Sequence, residues 1–252
     1  MDLGLHGRAY LVSGGTRGLG RATAAVLISD GASVVISGRN HAAAERAAAD
    51  LAPADALGVG ADNADPASAD RLVEATIERF GKIDGALISV GGPPSGSVLT
   101  TTDEVWRSSF ESVFLGGIRL ARTVATKLSP GGAIGFVLST SVRSPIPDLA
   151  ISNGLRAGLA MAAKTLADEL GPDGVRVFGL LPGRIATGRV AELDAERGDS
   201  ALVRSTNEEA IPLRRYGEPA EFARVAAFLL SPAASYLTGV MVPVDGGALR
   251  TL

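Results

Sequence analysis

The stretch Ser13-Gly14-Gly15-Thr16-Arg17-Gly18-Leu19-Gly20 most constrains what this chain can fold into. It follows directly on the apolar run Ala9-Tyr10-Leu11-Val12. The pattern reads as a strand, a glycine-rich turn and a helix opening at about Gly18. Glycine permits a tight turn and lets the backbone approach a ligand with no Cβ in the way. A helix start offers unpaired N–H groups and the positive end of a dipole, which suit a phosphate. The same signature also occurs as an ordinary strand–helix turn. What sets this one apart is its place after the first strand of a repeating β/α pattern.

That pattern runs the length of the chain. Strands are expected at Tyr10–Ser13, Ser33–Ser37, Ala56–Gly60, Gly85–Val90, Ala133–Ser139, Val175–Leu181 and Val240–Val244. Their near-continuous apolar character fits strands covered on both faces. Helices are expected at Gly18–Ser29, His41–Leu51, Ala67–Phe80, Thr102–Leu128, Ser152–Leu170 and Pro219–Leu230. Gly31 and Pro66 punctuate two of them where helices stop and start. Right-handed crossovers wind such units into an α/β fold: a doubly wound, Rossmann-type parallel sheet of about seven strands with helices on both faces. No linker or repeat divides the chain, so residues 1–252 read as one dinucleotide-binding domain. Residues 184–215 are long, polar and the least regular part. They read as a substrate lid, or as a surface excursion with no catalytic role.

Bulk properties narrow the function. With 252 residues and 46% hydrophobic content, the chain can bury a full-sized core. A net charge of −3 provides no field for nucleic acid or an anionic membrane. There are no cysteines, and His6 and His41 stand far apart, so disulfide, thiolate, metal and His-triad chemistry are not expected. No signal peptide or apolar span is visible, and the expectation is a cytoplasmic protein.

The second strand indicates which dinucleotide. An acidic residue about twenty positions past the glycines binds the ribose 2′-hydroxyl in the common NAD-binding arrangement. Here the strand ends Val35-Ile36-Ser37-Gly38-Arg39-Asn40, with no carboxylate. Arg39 and Arg17 instead suit a 2′-phosphate, which favours NADP over NAD. Both also read as solvated surface charges. Asp62 and Asn63, after the third strand, could hydrogen-bond an adenine edge, or serve as ordinary loop residues.

Together these pieces resemble the short-chain dehydrogenase/reductase family over essentially the whole chain. The glycine turn is similar to its Thr-Gly-x-x-x-Gly-x-Gly, with Ser13 in place of Thr. Pro182-Gly183-Arg184-Ile185-Ala186-Thr187 resembles its loop after the sixth strand. The resemblance implies that the backbone near Ile185 and the hydroxyl of Thr187 hold the nicotinamide carboxamide. Arg214-Arg215-Tyr216-Gly217-Glu218-Pro219, Leu237-Thr238-Gly239 and Val244-Asp245-Gly246-Gly247 resemble the 3-oxoacyl-carrier-protein reductase end of the family. The cofactor set implied is Gly14, Thr16, Arg17, Gly18, Leu19, Gly20, Arg39, Asp62, Asn63, Gly91, Arg156, Pro182, Gly183, Ile185 and Thr187.

The catalytic positions depart from the family's Asn, Ser, Tyr and Lys. Ser falls at Ser141. The Tyr-x-x-x-Lys pair falls on Ser152 and Arg156, and the Asn position on Val113. The turn after the fourth strand is Ser89-Val90-Gly91-Gly92. A serine hydroxyl is a far weaker acid than a phenol. Arg156, one helical turn from Ser152, can bind ribose but cannot shuttle protons. A positioned general acid contributes roughly 10²–10⁴ in rate, so its loss is severe without being fatal.

The main reading is an NADP-dependent oxidoreductase acting on a carbonyl/hydroxyl pair. Ser141 holds the carbonyl, and Ser152, or a water on Ser152 and Arg156, delivers the proton. Arg143 or Arg156 polarises the oxygen in a variant of that scheme. The alternative is a weakly active or inactive dinucleotide-binding protein with a regulatory or assembly role, and other chemistry on the same scaffold is a third. Ser141 also reads as a strand cap, Ser152 as a hydroxyl at a helix start, Arg156 as a surface cation, and Val113 and Trp106 as core packing. Arg143, Arg156 and Arg184 near the mouth point to an anionic or thioester-bearing carbonyl substrate, with Pro93-Pro94 stiffening one wall. Helices apolar around much of their circumference, together with the family resemblance, imply a homotetramer, with a homodimer as the alternative.

Overall fold

A computed structural model describes residues 2–251. Its centre is a seven-stranded, wholly parallel sheet in the order β3-β2-β1-β4-β5-β6-β7. The strands are β1 (Ala9–Val12), β2 (Ser33–Gly38), β3 (Ala56–Gly60), β4 (Gly85–Ser89), β5 (Ala133–Val137), β6 (Arg176–Pro182) and β7 (Val240–Val244). The helices are α1 (Gly18–Ser29), α2 (His41–Leu51), α3 (Ser68–Phe80), α4 (Asp103–Ser109), α5 (Gly116–Ala125), α6 (Ala150–Leu170), α7 (Gly188–Ala195), α8 (Ser200–Ala210) and α9 (Pro219–Leu230).

Strand alternation divides the core into two layers. Along β2, Val34 and Ile36 join Tyr10, Leu27, Phe178 and Phe222 on the face covered by α1 and α9. Val35 joins Leu72, Leu120, Phe136 and Leu159 on the face covered by α3, α5 and α6. Because both faces are covered, the five inner strands are buried almost throughout, which explains their continuous apolar runs, while the edge strands β3 and β7 are only partly buried. Among the described residues, no helix is long and apolar enough to cross a membrane.

Two expectations need correction. The segment Thr102–Leu128 is not one α-helix: Phe110–Leu115 is a π-helical insert between α4 and α5. Its far end meets a tight approach, where Gly116 presses on the backbone of Asn63 and leaves no room for a Cβ. The segment 184–215 is not irregular either, since it carries α7 and α8. Thr187 caps the first through Val190 N–H at 3.4 Å. Asp199 caps the second through Ala201 and Leu202 N–H at 2.9 and 3.2 Å.

Candidate active site

The strand order reverses between β1 and β4, and the crevice at their carboxyl ends is where open α/β sheets bind ligands. The crevice is pinned by side chain and backbone. Ser13 Oγ accepts a hydrogen bond from Ser89 N–H at 2.9 Å and donates to the Ser89 carbonyl at 3.1 Å. Gly14 has φ +61°, and a Cβ there would lie 2.5 Å from the Ser89 oxygen. A Cβ on Gly20 would lie 2.5 Å from the Gly14 oxygen. These contacts draw the turn in so tightly that only glycine fits.

The start of α1 is left open. Its N-cap, Arg17, makes no side-chain capping bond, and no acidic residue lies in the first turn. The first-turn N–H groups around Leu19 and Gly20 therefore keep their capacity for an anion. Thr16 packs its methyl group against Gly38 at the end of β2. Arg39 follows, exposed and with no hydrogen bond or ion pair among the described residues. This open helix start beside an unpaired arginine fits a phosphate-bearing dinucleotide.

The remaining expected cofactor residues divide into two groups. Asp62 Oδ1 accepts from Ala64 N–H at 3.0 Å, which closes its loop, and the other oxygen has no hydrogen bond among the described residues. The Asn63 carbonyl accepts from Arg119 at 3.3 Å, so its backbone is fixed against α5. On the opposite wall, Gly183 N–H bonds the Val244 oxygen at 3.0 Å, just after Pro182 ends β6. Ile185 is buried and bridges to Gly217. A Cβ on Gly18 would lie 3.7 Å from the Thr187 methyl, so the two loops face each other across the crevice.

The serine and arginine positions lie on α6 and on the turn that packs against it. Ser141 lies in the turn Thr140–Val142, which packs against α6. Its Oγ is buried, with no hydrogen-bond partner among the described residues. Ser152, in the first turns of α6, is 6% exposed, and Arg156, one turn on, is 7% exposed. Arg156 is therefore no surface cation. Its Nη1 donates to the Val137 carbonyl at 2.7 Å, and its Nη2 reaches the Gly91 carbonyl at 3.5 Å. The guanidinium ties α6 to the ends of β4 and β5. Burial, and then the nearby charge of Arg189, push its pKa down to about 10, so it stays protonated at neutral pH. Val113 is core packing, 3% exposed.

The other two arginines expected at the mouth are committed elsewhere. Arg143 is exposed and donates to the Met241 carbonyl on β7 at 3.2 Å. Arg184 donates to Asp194 Oδ1 at 2.7 Å. Asp194 Oδ2 accepts from the buried Tyr216 hydroxyl at 2.9 Å, which accepts from Asn207 at 2.9 Å. A buried carboxylate recruits whichever cation and donors surround it. Sequence spacing did not reveal that Asp194 stands inside the 184–215 segment facing Arg184.

The arginine that does reach the site is Arg189, which sequence reasoning missed. It stands in the first turn of α7, and its Nη2 donates to the Pro93 carbonyl at 2.8 Å. Its neighbour Glu192 lies 3.7 Å from Arg189 and 3.6 Å from Arg17. Helix α7 thus spans from the glycine turn to the loop after β4. The available signal was its place two residues after Thr187, at a helix start beside the crevice.

This fold and crevice define a nucleotide-binding α/β protein of the doubly wound class. Residues 14–248 match the family model described as Enoyl-(Acyl carrier protein) reductase, and the chain belongs to the short-chain dehydrogenase/reductase family. It is 35% identical to levodione reductase of Leifsonia aquatica, over 95% of this chain and 93% of that protein. It is 32% identical to L-rhamnose 1-dehydrogenase (NAD(P)(+)) of Azotobacter vinelandii, over 97% of this chain and 98% of that protein. The crystal structure of L-sorbose reductase from Gluconobacter frateurii, complexed with NADPH and L-sorbose, superposes with a TM-score of 0.91 at 31% identity, covering 100% of both chains.

Proposed function

We propose that this protein is an NADP-dependent oxidoreductase that interconverts a carbonyl and a hydroxyl compound with an altered acid–base site. The observation that carries the reading is the buried, unpartnered hydroxyl of Ser141. An unpaired buried polar group costs about 1–3 kcal/mol, a cost relieved when a ligand atom fills the vacant bond. A substrate carbonyl oxygen is such an atom. Support for the dinucleotide comes from the open start of α1, the glycine cradle, and the NADPH complex of the related sorbose reductase. Support for the extra phosphate comes from exposed Arg17 and Arg39, with no carboxylate closing β2.

When bound, NADPH supplies the hydride. The chain's own residues do the rest. Ser141 orients the carbonyl oxygen. Arg156, buried and fixed by the Val137 and Gly91 carbonyls, stabilises negative charge developing there. Ser152, or a water held between Ser152 and Arg156, delivers the proton. Proximity and orientation supply a factor comparable to the missing phenol. The segment 184–215, anchored through Asp194 and Tyr216, covers the site.

The test is NADPH oxidation on a panel of activated ketones and acyl thioesters. Turnover that falls on Ser141→Ala with NADPH affinity unchanged is expected. Tight NADPH binding without turnover on any of them would contradict the reading. We further propose a homotetramer, with a homodimer as the alternative. Met161 on α6 is 65% exposed and Phe110 is 42% exposed, so apolar side chains of both helices remain uncovered. A monomer by light scattering would contradict this.

A further inference from the structure

Resting on that reading, we infer that Arg156 and Arg189 form a two-guanidinium clamp for a carboxylate carried next to the substrate's reacting carbonyl, so that the substrate class is a small oxo acid or its hydroxy counterpart. Both guanidiniums are seated on one short stretch of loop. Arg156 reaches the Gly91 carbonyl at 3.5 Å, and Arg189 bonds the Pro93 carbonyl at 2.8 Å. Those carbonyls are two residues apart, at most about 7 Å of chain. Between them Gly92 contributes no side chain, and a Cβ there would lie 2.7 Å from Arg189 Nε.

The charges in this corner do not balance. Arg156 has no carboxylate within ion-pair distance among the described residues, although it is 7% exposed. Arg189 has only Glu192, at 3.7 Å and half exposed, and Glu192 also faces Arg17. A buried cation without an anion is costly. Two neighbouring cations raise that cost, and the field of Arg189 on Arg156 acts in this direction. A bound anion relieves it. The unpartnered Ser141 hydroxyl, in the turn packed against α6, adds a neutral donor.

A carboxylate fits this set better than a neutral ketone does. Guanidinium groups take carboxylates through two parallel bonds, and the serine hydroxyl remains for the carbonyl oxygen. Ser152 is shorter than the tyrosine that the family carries there by a whole phenol ring. The dinucleotide's own phosphates have the open start of α1, which no side chain caps.

The test is calorimetry on the full chain with its NADPH complex, titrated with 2-oxobutanoate and with its neutral methyl ester. The acid is expected to bind at least about tenfold more tightly than the ester. Arg189→Gln, which can keep a donor near Pro93, is expected to remove that preference by weakening the acid at least several-fold more than the ester. Arg189→Lys is expected to restore part of it. Equal binding of acid and ester, or equal weakening of both by Arg189→Gln, would overturn the clamp. NADPH binding is read separately. Its absence would remove the dinucleotide reading, while the acid–ester comparison without nucleotide would still judge the clamp.

Discussion

The hydroxyl of Ser13 and the backbone of Ser89 exchange two hydrogen bonds, at 2.9 and 3.1 Å, across the point where the strand order reverses. One small side chain thereby holds the glycine turn against the end of β4. Ser13 is fully buried. Ser13→Ala leaves the Ser89 groups unpaired and is expected to cost about 1–3 kcal/mol. Chemical denaturation measures the loss, and NADPH affinity should fall with it.

The close approach at Gly20 is less forgiving. A Cβ would lie 2.5 Å from a backbone oxygen that cannot swing aside. Gly20→Ala is expected to lower the denaturation midpoint and to weaken NADPH more than it weakens the fold, because the start of α1 must move. A variant with normal stability and normal NADPH affinity would contradict the cradle.

Tyr216 anchors the segment that carries α7 and α8. Tyr216→Phe removes the bonds to Asp194 and Asn207 and leaves a buried carboxylate with Arg184 alone. A cost of about 1–3 kcal/mol is expected, confined to residues 184–215. Hydrogen exchange should quicken there and stay unchanged in β1 and β4.

Acid sensitivity has a named source at the start of α9. Two bonds from Arg215, with a further bond from Glu218 N–H, hold the Glu221 carboxyl down at about 2. A carboxyl whose folded pKa is depressed contributes stability above its ordinary value near 4.5, and loses it as pH falls through about 2. Glu221→Gln should therefore lower the melting temperature at pH 7. The gap to the wild type should shrink below pH 4.5 and close near pH 2, as thermal scans across that range would show.

Restoring the family's acid–base pair tests the altered site. Ser152→Tyr with Arg156→Lys should raise reduction of neutral ketones, by up to about 10²–10⁴ if a general acid is all that is missing. An unchanged rate would mean that the pocket has diverged beyond these two positions.

Much of the fold was legible because the governing patterns are local. The strands Ala56–Gly60 and Val240–Val244 and the helices Gly18–Ser29, His41–Leu51 and Pro219–Leu230 fall where apolar periodicity and punctuation placed them. The π-helical insert was not legible: it gives way to α5 at Gly116, which packs on Asn63, a contact distant in sequence that no local pattern announces. The tight glycine turn was legible, because at Gly14 and Gly20 the motif specifies backbone. The site was not legible where long side chains choose partners in space. Arg143, Arg184 and Arg189 look alike in a sequence, and only the positions of Met241, Asp194 and Pro93 separate their fates.

The most direct measurement is paired calorimetric titration of the protein with NADPH and NADH, repeated on Arg39→Ala and Arg17→Ala. The account predicts that NADPH binds at least about tenfold more tightly than NADH, and that each substitution narrows the difference while leaving NADH little changed. No heat with either nucleotide, or a preference for NADH, would contradict it.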